Sequence, residues 1–444
     1  MPEAARHILF IAYYFPPLGG IASLRSLKHV KYLTQLGYQV QVLTVRTGLT
    51  RHPKDPTLLA EIPAGVKVWR AFCPDATWLF KLMWGLKLNS LVRFLQQRVL
   101  IPDHEVLWRP FAKRMLRRVV RRDPELSLAV ISSGPPSSLS LGLLLKHRFR
   151  VPFICDFRDE WTNNPERINI AFPAATQSRE LLMESRVVSA AAGISYLSQL
   201  MRDNFCRNYP FLETKPSAII PNGFDDSDFE GLTASSDTDV FRLVYCGSFY
   251  DRRQPDPLWQ TILGLVKAGK LDPEKFRVDI HGRNTPAFVL GSYASDPVLA
   301  RILSLHPFLS YRDSLKELMR ATALLLYIPS GKNTASVLTG KIFDYLRSGK
   351  PVLAIVPPQG LAAELLTQAG TGYIADHQDL PGIAAKLLEL YRQWENEALG
   401  ELRVDHGFIA EFSRQSLARK LAGLIDEVVP GQSSSPASTP EAQP

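Results

Sequence analysis

Apolar residues come in short bursts along this chain, each ended by a small or polar loop. His7–Tyr13 is apolar almost throughout, Pro16–Gly20 interrupts it, and Ile21–Leu36 resumes with helical spacing until Gly37. Gln39–Val45 is a second burst. Continuous apolar runs predict strands covered on both faces, and the strand–loop–helix–strand order predicts a parallel sheet. The pattern returns with strands at Leu128–Ser132, Pro152–Asp156, Gly193–Leu197 and Ala218–Pro221, and helices at Ser137–His147 and Glu180–Ala192. Around Asp225–Asp239 the composition turns to Asp, Ser and Thr, which reads as a linker. A second series follows, with strands at Phe241–Gly247, Phe276–His281, Ala323–Ile328 and Pro351–Ile355. Its helices are expected at Pro257–Ala268, Leu315–Arg320, Gly340–Arg347 and Leu361–Ala369. A helix near Ser413–Val428 closes the folded part, and Pro430–Pro444 has the composition of a disordered tail.

Length agrees with that division, because 444 residues exceed what one core usually holds. The expected organisation is an N-terminal Rossmann-like domain over 1–225, a linker over 226–239, a second domain over 240–412, a closing helix over 413–429 and a tail over 430–444. The fold class is α/β, with ligand-binding loops at the carboxyl ends of the strands.

Charge changes the picture in one place. Between Leu79 and Arg122 there are eleven basic and two acidic residues, a local +9 that equals the net charge of the whole chain. Trp108, Phe111, Ala112, Met115, Leu116, Val119 and Val120 share one helical face, and basic residues fill the other. The apolar face suits packing on the sheet. The basic face, with the aromatic stretch before it, suits an anionic membrane surface, and Lys81, Trp84, Lys87, Arg114, Arg117, Arg118 and Arg121 are the docking candidates. No nucleic-acid-binding motif accompanies this charge, so nucleic acid is not an expected partner. No apolar run approaches the roughly 20 residues of a membrane span, and His7–Phe15 leads into Pro16-Pro17 without a small-residue cleavage site. The four cysteines, Cys73, Cys155, Cys206 and Cys246, have no metal-ligand spacing and imply no disulfide framework, which favours a reducing, cytoplasmic setting.

The loops carry the chemistry. Gly19 and Gly20 sit between a strand and a helix, where bare backbone amides can approach a phosphate. The loop lacks the dinucleotide fingerprint, which counts against NAD. Asp156-Phe157-Arg158-Asp159-Glu160-Trp161 ends another strand. Asp156 and Asp159 can accept from sugar hydroxyls or an acceptor nucleophile with Arg158 holding them, or the cluster can be a self-satisfied salt bridge. Ser132–Ser138 lines the neighbouring strand end. In the second half, Arg252 and Arg253 suit a diphosphate, Thr339, Gly340 and Lys341 open a helix toward one, and Asp344 can accept from ribose hydroxyls or simply complement the helix dipole.

Taken together, Tyr14–Gly20, Ser133-Gly134-Pro135-Pro136, Asp156–Trp161 and Ile220–Asp225 closely resemble family 4 glycosyltransferases of the GT-B fold. The D-F-R-D-x-W run is most similar to a bacterial surface-polysaccharide branch, and Gly247–Arg253 with Gly340–Pro351 resembles that family's donor domain. The resemblance implies two Rossmann-like domains facing across a cleft, and a nucleotide diphosphate sugar held mostly by the second. It also implies transfer with retention of configuration, without a metal or a separate cofactor. Arg253 and Lys341 would face the diphosphate and Asp344 the ribose. With the basic segment, it further implies a lipid-linked or polysaccharide-precursor acceptor at the inner membrane surface. Two positions depart from the pattern: Ser336 stands where many members have a Glu, and Ser132–Ser138 contains no His. A sugar-nucleotide epimerase of the same fold and a catalytically silent nucleotide-sugar-binding subunit are the alternatives.

Overall fold

The computed structural model describes residues 6–48, 52–74, 76–164, 172–233, 239–249, 254–329, 331 and 334–430. They form two compact units, one from the chain up to Pro221 with the segment from Leu417 onward, the other spanning Asn222–Ser416.

The first unit is built on a seven-stranded sheet of β1 (His7–Ile11), β2 (Gln39–Val45), β3 (Lys67–Ala71), β4 (Leu126–Ser132), β5 (Phe153–Asp156), β6 (Gly193–Tyr196) and β7 (Ser217–Ile219). The strands are parallel in the order β3-β2-β1-β4-β5-β6-β7. Phe10 of β1 pairs with Val42 on one side and Val130 on the other. Ile8–Ile11 and Leu128–Ile131 are wholly buried, as central strands of a sheet covered on both faces must be. Helix α1 (Ile21–Gln35) follows β1, and every residue from Ser23 to Val30 is buried, including Arg25, Lys28 and His29. A stripe of apolar residues does not explain such a helix, so its charged residues must be satisfied internally. The last helix, Arg414–Val428, follows, and a Cβ on Gly193 would lie 2.8 Å from a Val428 side-chain methyl, so the helix side chains rest directly on the strand backbone.

Between β3 and β4 lie α2 (Ala76–Gly85), α3 (Asn89–Phe94) and α4 (Arg109–Arg122). On α4, Ala112, Leu116 and Val119 are buried and Trp108 precedes them into the core, while Phe111 stays partly exposed. The small cluster of Phe80, Met83 and Val92 holds α2 and α3 together.

The second unit has six parallel strands, β8 (Phe241–Cys246), β9 (Phe276–His281), β10 (Leu303–His306), β11 (Ala323–Tyr327), β12 (Val352–Ile355) and β13 (Gly372–Ala375), in the order β10-β9-β8-β11-β12-β13. Its two apolar cores lie on the two faces of the sheet. Phe224 and Phe229 are buried in one of those cores, and Asp225 caps a short helix, Asp226–Phe229, through the Ser227 amide. Residues 234–238 of the expected linker, and the expected tail from 431 onward, lie outside the described residues. All four cysteines are free thiols. No helix among the described residues is long and apolar enough to cross a membrane.

Candidate functional site

Each sheet changes direction once, between β1 and β4 in the first unit and between β8 and β11 in the second. The loops leaving those strands diverge, and a ligand crevice opens at their carboxyl ends. Gly19 and Gly20 follow β1, Asp156–Asp159 end β5, and Thr339–Lys341 lie between β11 and β12.

In the first unit the charged residues after β5 divide into two separate devices. Asp156 points inward. Arg25 Nη2 donates to its Oδ1 at 2.6 Å, Nε to Oδ2 at 3.1 Å, and Ser195 Oγ adds a third bond at 2.7 Å. Arg25 itself is 0 % exposed and Asp156 1 %, so the pair is dry. Arg25 also donates to the carbonyls of Ile220 and Pro221, tying α1 and β5 to the end of the β7 segment. Burial alone would raise the Asp156 pKa, but the charge and hydrogen bonds of Arg25, with His29 and Ser195, hold the carboxyl far below the ordinary range. Both Asp156 oxygens are engaged by Arg25 and Ser195, an arrangement that suits a positioning residue better than the expected reactive carboxylate. Nor does Arg158 hold Asp156, since that role belongs to Arg25, which the sequence did not single out.

Arg158 faces the loops instead. Its guanidinium lies on Gly134, where a Cβ would stand 2.0 Å from Nη2, and faces the Tyr14 ring at 6.0 Å. Its ion pair to Asp159 is long, 3.8 Å, and Asp159 is mostly exposed. The Arg158 Nε and the hydroxyls of Ser137 and Ser138 are buried with no hydrogen-bond partner among the described residues. A partly dry guanidinium with a donor to spare, beside unpaired hydroxyls, is suited to a negatively charged or polyhydroxylated ligand. Gly20 caps α1 with φ +88°, a conformation that favours glycine. The amide of Gly19, the other glycine expected at a phosphate, donates to the Pro53 carbonyl at 2.8 Å.

The loop after β5 is steadied from behind by carboxylates. Glu184 accepts from the Thr162 amide at 3.2 Å, and Glu160 from Asn204 at 2.7 Å. Burial pushes the Glu184 pKa up to about 7, partly offset by the Thr162 bond and reinforced by Glu160 and Glu180. A carboxyl raised above its unfolded value of about 4.3 favours the folded state when protonated, so its contribution is full below that value and lost as pH rises through about 7. The stability of Glu184→Gln relative to the parent is expected to grow by about 2 kcal/mol between pH 5 and pH 8, checked by urea unfolding at both. An unchanged difference would contradict the assignment.

In the second unit, Lys341 begins the helix Lys341–Ser348 and its ammonium reaches back over the end of β8. It sits 4.1 Å from the centroid of the Tyr245 ring, and a Cβ on Gly247 would lie 1.9 Å from Nζ. Gly247 is thus bare where the cation crosses it. The same backbone is crowded from β9, since a Cβ on Gly282 would stand 2.3 Å from the Gly247 carbonyl oxygen. Asn284 ties the two loops, donating to the Gly247 carbonyl at 2.9 Å and accepting from the Phe249 amide at 2.8 Å. The Thr339 hydroxyl, just before the helix, is buried with no partner among the described residues. Asp344 is nearly buried, and one of its oxygens accepts from the Tyr311 hydroxyl at 2.9 Å. The helix ends at Gly349 with φ +65°. Arg252 and Arg253 lie outside the described residues. Sequence reasoning missed Tyr311, Gly282 and Asn284. The Gly282–Asn284 turn directly follows an apolar strand, which was a usable signal, whereas Tyr311 carries no local mark.

Gly247→Ala is expected to leave the melting temperature within about 2 °C, because only the tip of a flexible side chain must move. A fall of about 5 °C or more would contradict this placement of the Lys341 tip over the Gly247 backbone.

Residues 22–223 match the model of the glycosyl transferase 4-like domain. The fold is GT-B. Among solved structures, the chain is similar to a glycosyltransferase from Rickettsia africae ESF-5, with 14% identity over 96% of this chain and 99% of that one and a TM-score of 0.61. It is similar to WaaG, a glycosyltransferase involved in lipopolysaccharide biosynthesis, at 13% identity, 96% and 100% coverage and TM-score 0.56. A TarM mutant from S. aureus in complex with fondaparinux, alpha-GlcNAc-glycerol and UDP aligns at 10% identity, 95% and 100% coverage and TM-score 0.58. No curated protein matches the chain in sequence.

Proposed function

We propose that this protein is a retaining glycosyltransferase that moves a sugar from a nucleotide diphosphate sugar to a lipid-linked or polysaccharide-precursor acceptor at the inner membrane surface. The observation that carries the reading is Lys341, an ammonium held over Gly247 where the second sheet changes direction. A cation fixed beside a helix N-terminus stabilises the charge that develops on a departing diphosphate more than it stabilises the bound donor, and that difference accelerates transfer. The Thr339 hydroxyl and the Gly340 and Lys341 amides add donors to the same oxygens, with Arg252 and Arg253 as further candidates. Asp344, fixed by Tyr311, accepts from the ribose. The UDP in the TarM complex supports this class of donor.

On the other unit, Arg158 with Ser137 and Ser138 takes a polar, charged part of the acceptor, and Asp159 accepts from its hydroxyls. The acceptor hydroxyl attacks from the face the diphosphate leaves, and its proton passes to a phosphate oxygen. No metal and no protein nucleophile enters this scheme. A surface-polysaccharide role draws support from the D-F-R-D-x-W run and from the likeness to WaaG. The membrane role draws support from an apolar and basic face. Trp84, Leu86 and Phe94 of the α2–α3 region are 47%, 62% and 50% exposed, near Lys81 and Lys87 in the chain. Arg114, Arg118 and Arg121 are exposed on α4, and Arg117 half-buried. The stereochemical claim is tested by the anomeric configuration of the product in NMR. A product with the donor's configuration supports it, and an inverted product overturns it.

A further inference from the structure

At the carboxyl ends of β2 and β3 a cavity of about 320 Å³ is lined by Arg46, Arg70, Arg114 and Arg118, with Phe72 and Phe111. Arg70 is fixed from beneath, its Nη2 donating to the Pro16 carbonyl at 2.6 Å, and burial lowers its pKa. Arg46, Arg114 and Arg118 are exposed, form no ion pair among the described residues, and no carboxylate lines the cavity. Four guanidinium groups around one concavity repel one another, and an anion seated among them relieves that repulsion. The geometry of guanidinium favours phosphate, which it can bind through paired N–H donors.

The apolar half of the cavity selects among phosphates. Phe72 and Phe111 stand edge to face at 4.9 Å, both partly exposed, on the rim of the arginine cluster. A small soluble anion leaves this pair in water, whereas a phosphate carried on a hydrocarbon chain covers it. The chain enters α2 at Ala76, four residues beyond Phe72, and the α2–α3 region presents Leu82, Trp84, Leu86 and Leu88 to solvent. We propose that this cavity binds the phosphomonoester headgroup of a membrane lipid, with the lipid chain lying on Phe72 and Phe111. Calling that lipid the acceptor rests on the transferase reading; the binding itself does not.

The test uses the full chain and phosphatidylcholine vesicles doped either with phosphatidic acid or with phosphatidylserine at matched surface charge. The cavity predicts tighter binding to the phosphatidic acid vesicles. Arg46→Gln/Arg114→Gln/Arg118→Gln is expected to lose that preference and to weaken binding about 100-fold, at about fivefold per arginine near the surface. Arg148→Gln/Arg419→Gln/Lys420→Gln removes the same charge from exposed positions that do not line the cavity, and is expected to keep the preference. Phe72→Ser is expected to weaken vesicle binding without changing affinity for inorganic phosphate. Equal losses in the two triple variants would reduce the effect to net charge and overturn the proposal. Displacement of the vesicles by an equal concentration of inorganic phosphate would assign the cavity to a soluble anion and also overturn it. Neither measurement needs a sugar donor or turnover, so failure here and failure of the transferase reading are separately visible.

Discussion

Asp156→Ala is expected to destabilise the first unit by about 3–5 kcal/mol, because it strands the buried Arg25 charge without a counterion. Arg25 makes four hydrogen bonds, two to Asp156 and two to backbone carbonyls, and is 0 % exposed, so water cannot replace the lost partner. For a unit of this size the loss corresponds to a fall in melting temperature of roughly 10 °C. Arg25→Leu/Asp156→Leu, which removes both charges, is expected to recover most of it, since the net value of a buried pair over apolar packing is small. Thermal unfolding followed by tryptophan fluorescence measures both. A reactive carboxylate at the same position would behave differently, with the substitution abolishing turnover and leaving the melting temperature unchanged. That outcome would restore the catalytic reading. The pH dependence has the opposite sign to that of Glu184. The folded-state pKa of Asp156 is depressed, so its contribution is present above the unfolded value of about 3.9 and is lost as pH falls through the folded one.

The second large effect concerns chemistry. Lys341→Ala is expected to lower nucleoside-diphosphate release about 10²–10³-fold, the usual cost of removing one group that stabilises developing charge. Stability should hardly change, because Lys341 is only half-buried and its ammonium lies on a bare glycine. Lys341→Arg is not expected to restore activity, since a planar guanidinium is broader than the ammonium that fits between Tyr245 and Gly247. Full activity in Lys341→Ala would remove the diphosphate role and with it the main support for transfer.

The sequence announced every central strand of both sheets, and of the edge strands only β7. His7–Tyr13, Leu128–Ser132 and Ala323–Ile328 read as unbroken apolar runs because a neighbour lies on every side of them. The strands missed were Lys67–Ala71, Leu303–His306 and Gly372–Ala375, and all three are edge strands. An edge strand needs less apolar cover, and Lys67, Arg70, Ser304 and His306 dilute the pattern there. The α4 face was legible because Ala112, Leu116 and Val119 keep helical spacing toward the sheet. Asp156 misled for a related reason. A charged residue at a strand end resembles a catalytic group, and the partner that explains it stands 131 residues earlier. Local pattern cannot reveal such a partner, although an arginine inside a helix of small and apolar residues, as in Ile21–Val30, is a sign that a buried counterion exists. Lys341 was found from its place before a helix. That it rests on Gly247 depends on the parallel order of β8 and β11, which only the fold supplies.

The measurement that tests the central claim most directly is release of nucleoside diphosphate from a panel of UDP-, GDP- and other sugar donors, with and without a membrane lipid extract. The account predicts release from one donor that rises with extract and collapses in Lys341→Ala. Binding of nucleotide without release from any donor, under either condition, would contradict it.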